Sequence, residues 1–95
     1  MDLSELQKIV DSWIMKSGGY WSELEILGRL IEELGEVSRA LRKGSRREIE
    51  EELGDLFFTL IALSNKLGID LERSLKAVIR KYDERKELFK ELFKG

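Results

Sequence analysis

The spacing of the apolar residues constrains this chain more than any other feature. They recur every three or four residues in four separate segments, and no stretch alternates apolar with polar over the length of a strand. No proline interrupts these segments, so glycines and polar caps must set their ends. The first segment runs over about 3–16, with Leu6, Ile9, Val10, Trp13 and Ile14 on one face, and Ser17-Gly18-Gly19 closes it. The second opens at Ser22, whose Ser-x-x-Glu spacing to Glu25 reads as a capping box. It carries a stripe of Leu27, Leu30, Ile31, Leu34, Val37 and Leu41, centred near Leu34 and Leu41, and stops at Gly44. Ser45 and Glu48 form a second capping box. The helix they open carries Ile49, Leu53, Leu56, Phe57, Leu60, Ile61, Leu63 and Leu67 as far as Gly68. Asp70 caps the fourth, which carries Leu71, Leu75, Val78, Ile79, Tyr82, Leu88, Phe89 and Leu92. Loops of about three to five residues make neighbouring helices antiparallel. The expected fold is all-α, a four-helix bundle of antiparallel helices, in a single domain over residues 1–95.

Two of these helices contain an odd repeated phrase. Glu32-Glu33-Leu34-Gly35-Glu36 is echoed by Glu51-Glu52-Leu53-Gly54-Asp55. A glycine inside a helix costs about 1 kcal/mol against alanine. Carboxylates one turn apart repel by a few tenths of a kcal/mol. A fold gains nothing by doing either twice, whereas a cation held between the two helices would offset both. At about 100° per residue, Glu33 falls roughly 80–100° from the centre of its helix's stripe, and Glu52 about 70° from its own. Glu33 and Glu36 border one helix seam, and Glu52 and Asp55 the other. Gly35 and Gly54 lie in the same turns and remove side chains that would keep a backbone or ligand at a distance. Local charge pairing accounts poorly for these acids. Only Glu36 has a cation one turn C-terminal, Arg39, while Arg29 precedes Glu33 in the less favourable order.

Composition narrows the chemistry. With no histidine and no cysteine, the chain has neither imidazole nor thiolate for metal binding or catalysis. A metal must accept oxygen ligands, which points to Mg²⁺, Mn²⁺ or Ca²⁺. The same absence disfavours a carboxylate-bridged di-iron bundle, which uses Glu-x-x-His. A net charge of −2 with no basic stripe argues against nucleic acid as a partner. No uncharged run approaches the roughly 20 residues of a membrane span. The start, Met1-Asp2-Leu3-Ser4-Glu5, has neither the basic nor the apolar part of a signal peptide, so a cytoplasmic location is expected. A chain of 95 residues that is 42% hydrophobic is also expected to self-associate.

At these residues the sequence resembles the MazG-like nucleoside triphosphate pyrophosphohydrolases of the all-α NTP pyrophosphatase superfamily. Their pattern is E-E-x-x-E, a spacer, then E-x-x-D. Here it reads Glu32-Glu33-Leu34-Gly35-Glu36, fifteen residues, then Glu52-Leu53-Gly54-Asp55. The flanking Gly-Gly-Tyr-Trp, Leu-Gly-Asp-Leu-Phe-Phe-Thr-Leu and Gly-Ile-Asp-Leu-Glu are similar too, so the likeness spans roughly residues 18 to 86. The resemblance implies Mg²⁺-dependent hydrolysis of a nucleoside triphosphate to monophosphate and pyrophosphate, as housecleaning of the nucleotide pool. It implies Glu33, Glu36, Glu52 and Asp55 as metal ligands. Glu32 is the candidate for orienting or deprotonating the attacking water, with a surface ion pair as its other role. Lys81 and Arg85 match the family's basic positions and would grip phosphates. Tyr82 between them would touch sugar or base, or pack. Asn65 would bond substrate, or end its helix. Trp21 and Trp13 offer faces for a base or for a core or subunit contact. The cluster Arg42-Lys43 and Arg46-Arg47 reads as complementing the end of the second helix. As a single short unit, the chain is expected to form a homodimer or homotetramer. The rival reading is a non-catalytic helical oligomerisation module with a divalent-cation site.

Overall fold

The computed structural model describes residues 1–94. It contains α1 (Leu3–Lys16), α2 (Glu23–Lys43), α3 (Arg46–Lys66) and α4 (Leu71–Leu92), and among the described residues no strand. The caps are the ones the sequence supplies. Asp2, Ser22, Ser45 and Asp70 each accept a backbone N–H in the first turn of their helix, and Ser22 with Glu25 forms the full reciprocal box. The expected second box is only half made. Ser45 accepts from Glu48 N, while the Glu48 carboxylate lies against Gly44 instead of returning to the cap.

Gly44 is needed for room rather than for dihedral freedom. Its φ is −84°, but a Cβ there would stand 2.7 Å from the Ala40 carbonyl oxygen. With Gly44 and Ser45 as the whole connection, α2 and α3 fold back on each other as an antiparallel hairpin, the most extensive contact in the chain. At the other turns, Gly18, Gly19 and Gly68 take φ of +109°, +94° and +69°, conformations that cost other residues strain.

α1 lies across α3. Val10 and Ile14 of α1 meet Ile26 of α2 and Ile61 and Ala62 of α3 to make the core, with Leu3, Tyr20, Leu63 and Leu71 against its edge. Gln7, itself buried, ties the corner where α1, α3 and α4 meet. Its amide donates to Asn65 Oδ1 and the Ile69 carbonyl and accepts from Leu71 N, while Asn65 donates to the Gln7 carbonyl. These bonds satisfy every group that burial takes from water.

Beyond its first turn, α4 is exposed along its length, and α1 is its principal contact. The radius of gyration is 17.1 Å, against about 12.4 Å for a compact domain of this length. The exposed area, 7658 Å², exceeds by about 2,000 Å² what an 11.1 kDa monomer normally leaves uncovered.

The largest departure from the sequence reading concerns the face of α2. The stripe centred on Leu34 and Leu41 is not the intrachain core: Leu27, Ile31, Leu34 and Leu41 are all exposed. The residues buried against α3 are Ile26, Glu33, Val37 and Ala40, with Leu30 half-buried. α2 thus carries two apolar stripes, and the hairpin uses the one that contains an acid. No helix among the described residues is long and apolar enough to cross a membrane.

Candidate active site

The α2–α3 hairpin brings the repeated acidic phrases face to face. Carboxylate oxygens of Glu33, Glu52 and Asp55 lie within 4.8 Å of one another. Ligands on opposite sides of one Mg²⁺ stand about 4.2 Å apart, since each Mg–O distance is about 2.1 Å. The three are therefore close enough to share a cation after small side-chain adjustments. The donor set is all oxygen, as a hard divalent ion requires. Glu33 is the deepest, at 4% exposure; Glu52 is half-buried and Asp55 exposed, so the cluster grades from the core into solvent.

The electrostatics record the crowding. Desolvation, and then the charges of Asp55, Glu36, Glu33 and Glu51, push the Glu52 carboxyl above its ordinary range. Glu36 is thus near enough to act on Glu52, yet its carboxylate stays outside the trio. Arg39 Nη1 holds both of its oxygens, at 2.9 and 2.8 Å. Of the four expected ligands, three converge and the fourth sits one turn away on an arginine.

Glu33 also has a cation partner that local pairing rules undervalue. Arg29 Nη2 lies 2.6 Å from Glu33 Oε1, and Nη1 of the same guanidinium lies 3.2 Å from Glu32 Oε2. Arg-before-Glu is the weaker order on an exposed helix. Here burial of Glu33 strips away competing water and strengthens the pair. Glu32 itself is exposed, with no contact in the trio.

Beside the acids opens a cavity of about 440 Å³, within the usual range for a small-molecule site. Trp13, Tyr20, Trp21 and Phe58 supply aromatic walls, and Arg29, Glu33 and Asp55 supply the charged end. Trp13 meets Phe58 edge-on, with centroids 5.5 Å apart. Both tryptophans are more than half exposed, so each leaves a ring face available. The Gly18-Gly19 turn carries Tyr20 and Trp21 to the cavity. The Tyr20 hydroxyl donates to Asp11, and burial together with that bond pushes its pKa up to about 12. Tyr20 and Phe58 were not singled out from the sequence. The Gly-Gly-Tyr-Trp run was the signal for the first and the Phe-Phe-Thr-Leu run for the second, but α3 is apolar on several sides and periodicity did not mark Phe58.

The remaining expected contacts are not gathered here by one chain. Asn65 is bonded to Gln7 and does not line the cavity. Lys81, Tyr82 and Arg85 lie on the exposed part of α4. There the Lys81 Nζ and Arg85 Cζ stand 5.5 and 5.8 Å from the Tyr82 ring, and none of the three reaches the cavity. Gly35 and Gly54 have open space where a Cβ would stand, so within one chain nothing approaches them closely.

Known proteins are similar to this chain in sequence and in fold. The chain is 36% identical over 94 residues to the uncharacterized protein YpjD of Bacillus subtilis, covering 87% of this chain and 85% of that protein. It is 38% identical over 73 residues to the nucleoside triphosphate pyrophosphohydrolase/pyrophosphatase MazG of Thermotoga maritima, a match over 76% of this chain but only 28% of the longer protein. Among solved structures, the Bacillus-conserved MazG protein, a nucleotide pyrophosphohydrolase, superposes with a TM-score of 0.79 at 41% identity, covering 86% of this chain and 90% of that one. The crystal structure of the putative pyrophosphatase YpjD from B. subtilis also gives 0.79, at 38% identity over 87% and 95% of the two chains. The family model of the MazG nucleotide pyrophosphohydrolase domain matches residues 22–89, the stretch holding both acidic phrases, and the chain belongs to that family.

Proposed function

We propose that residues 1–95 act as a single MazG unit that hydrolyses a nucleoside triphosphate to the monophosphate and pyrophosphate with Mg²⁺, or Mn²⁺ in its place. The observation that carries this reading is the convergence of Glu33, Glu52 and Asp55 beside an aromatic-walled cavity. These three acids would hold the cation, with Glu36 joining once Arg39 releases it. When bound, the ion offsets phosphate charge and acidifies a water at neutral pH. An acidic cluster cannot otherwise accept a polyphosphate, because both are anionic.

The chain's own residues then have separable tasks. Trp21, with Trp13 on the same cavity, offers a ring face to the base. Glu32, exposed at the rim, orients the attacking water or takes its proton. The water attacks the α-phosphorus, and pyrophosphate leaves. Phosphate contacts from Lys81 and Arg85, with Tyr82 beside them, and any contact from Asn65 need a neighbouring subunit to complete the site. A second copy is the natural cover for the exposed outer stripe, and the excess of about 2,000 Å² of total exposed area per chain suits an obligate interface. A homodimer, or a homotetramer of two dimers, follows. We place this activity in the cytoplasm, as housecleaning of the free nucleotide pool.

The test is a panel of NTPs, dNTPs and modified nucleotides incubated with Mg²⁺, with pyrophosphate and orthophosphate measured separately. Pyrophosphate with the monophosphate is the expected result. Orthophosphate alone moves the cleavage to the γ-phosphate. No turnover of any nucleotide leaves the rival, a non-catalytic helical oligomerisation module with a divalent-cation site.

A further inference from the structure

The site carries its own counter-ion. Arg29 is the one basic side chain lining the cavity, and its guanidinium is spent on Glu33 and Glu32. The two ends of the main pair differ sharply: the Arg29 side chain is 51% exposed and that of Glu33 5%. The acid is fixed in the core, while the base reaches it from the solvent side. A guanidinium cannot discharge itself by losing a proton. A divalent cation that takes Glu33 therefore meets a positive charge already seated 2.6 Å from one of its oxygens. One of the two must leave, and the half-exposed partner, with solvent to move into, is Arg29. The space beside it is the cavity where a polyphosphate would lie, and its planar fork suits two phosphate oxygens at once.

We propose, resting on the metal-dependent nucleotide reading above, that Arg29 couples the two ligands. It holds Glu33 in the metal-free protein and, displaced by the cation, grips the phosphates of the nucleotide. Arg29 then opposes the metal when the metal comes alone and favours the nucleotide once the metal is in. Its removal changes the two affinities in opposite directions. A residue that merely braced α2 would weaken both, and one that merely added positive charge would leave no such crossing.

The experiment measures Mn²⁺ binding by the electron paramagnetic resonance signal of the free ion, and binding of an α,β-imido nucleoside triphosphate by calorimetry at saturating Mn²⁺. Wild type is compared with Arg29→Gln and Arg29→Lys, each checked for helicity by circular dichroism. For Arg29→Gln we expect Mn²⁺ alone to bind about tenfold tighter and the nucleotide analogue about tenfold weaker, within the usual span of coupling between two ligands. Arg29→Lys keeps a cation opposite Glu33 but loses the fork, so Mn²⁺ alone stays near wild type while the analogue weakens. If Arg29→Gln does not fold, the lysine variant decides by that contrast. Unchanged or weaker Mn²⁺ binding in Arg29→Gln, or wild-type analogue binding in either variant, overturns the coupling. A wild-type protein that takes up no Mn²⁺ with or without the analogue overturns the metal-dependent reading itself.

Discussion

The two apolar stripes of α2 meet different surroundings. The inner one, Ile26, Leu30, Glu33, Val37 and Ala40, packs on α3 within the chain. The outer one, Leu27, Ile31, Leu34 and Leu41, has larger side chains and remains exposed. By hydrophobic content alone the outer stripe is the better core. The chain instead folds on the stripe interrupted by a glutamate, which places that carboxylate 4% exposed between two helices and opposite Glu52 and Asp55. Burial of an unpaired carboxylate is expensive, and Arg29 offsets that cost in the single chain. Under the proposed function, one face of the helix would carry the chemistry and the other would serve association, so the same 21 residues would do both.

If that division holds, damage to each face has its own signature. The largest effect is expected from Glu33→Gln, which is close to isosteric and leaves the outer stripe untouched. Loss of a ligand to a catalytic cation removes several kcal/mol of transition-state stabilisation, so turnover of the best panel nucleotide should fall by about a thousandfold or more. Sedimentation should meanwhile show the assembly unchanged. A Glu33→Gln protein with wild-type turnover would separate burial from catalysis and break the comparison on its inner side.

Leu34→Glu probes the outer side. Leucine and glutamate have similar helix propensity, so the fold of one chain should survive. A charge set into the centre of a subunit contact costs about 2 kcal/mol or more, a weakening of association by roughly thirtyfold or beyond. Light scattering across a dilution series reads this directly. An undiminished assembly would mean that the outer stripe faces water in solution and that the uncovered area is closed elsewhere.

The smallest effect is a pH dependence, and its sign sharpens the inner half of the comparison. Desolvation, and then the neighbouring carboxylates, raise the Glu52 pKa in the folded protein above the ordinary 4.5. The stability it contributes is therefore fully present below that value and is lost as pH rises through the raised one. A cation neutralises the cluster and removes the penalty. Added Mg²⁺ should consequently raise the melting temperature more at about pH 8 than at about pH 5, and Glu52→Gln should flatten the difference. Equal shifts at both values would mean that the three carboxylates do not act as one charged cluster.

Much of this molecule is legible along the chain. Ser22, Ser45 and Asp70 fix helix starts through a hydroxyl or carboxylate placed next to unpaired N–H groups, and such contacts are local. The pairing of Glu33 with Glu52 and Asp55 was also legible, because two antiparallel helices joined by Gly44-Ser45 leave few registers. The ion pair of Arg29 with Glu33 was undervalued, since pairing rules for exposed helices omit what burial does to a charge. Gln7 gave no signal as a lone amide on α1; three bonds from two distant segments make it a clamp.

Sequence periodicity determined that there are four helices, polar caps and glycines marked where they start and turn, and the repeated phrase showed that two of them carry matching acids. Which stripe of α2 turns inward was decided only in three dimensions. The 3.6-residue period sets the angle between two stripes on one helix, but both satisfy it equally. The choice depends on the area each stripe buries against α3 and α1 together, a sum over surfaces distant in the chain.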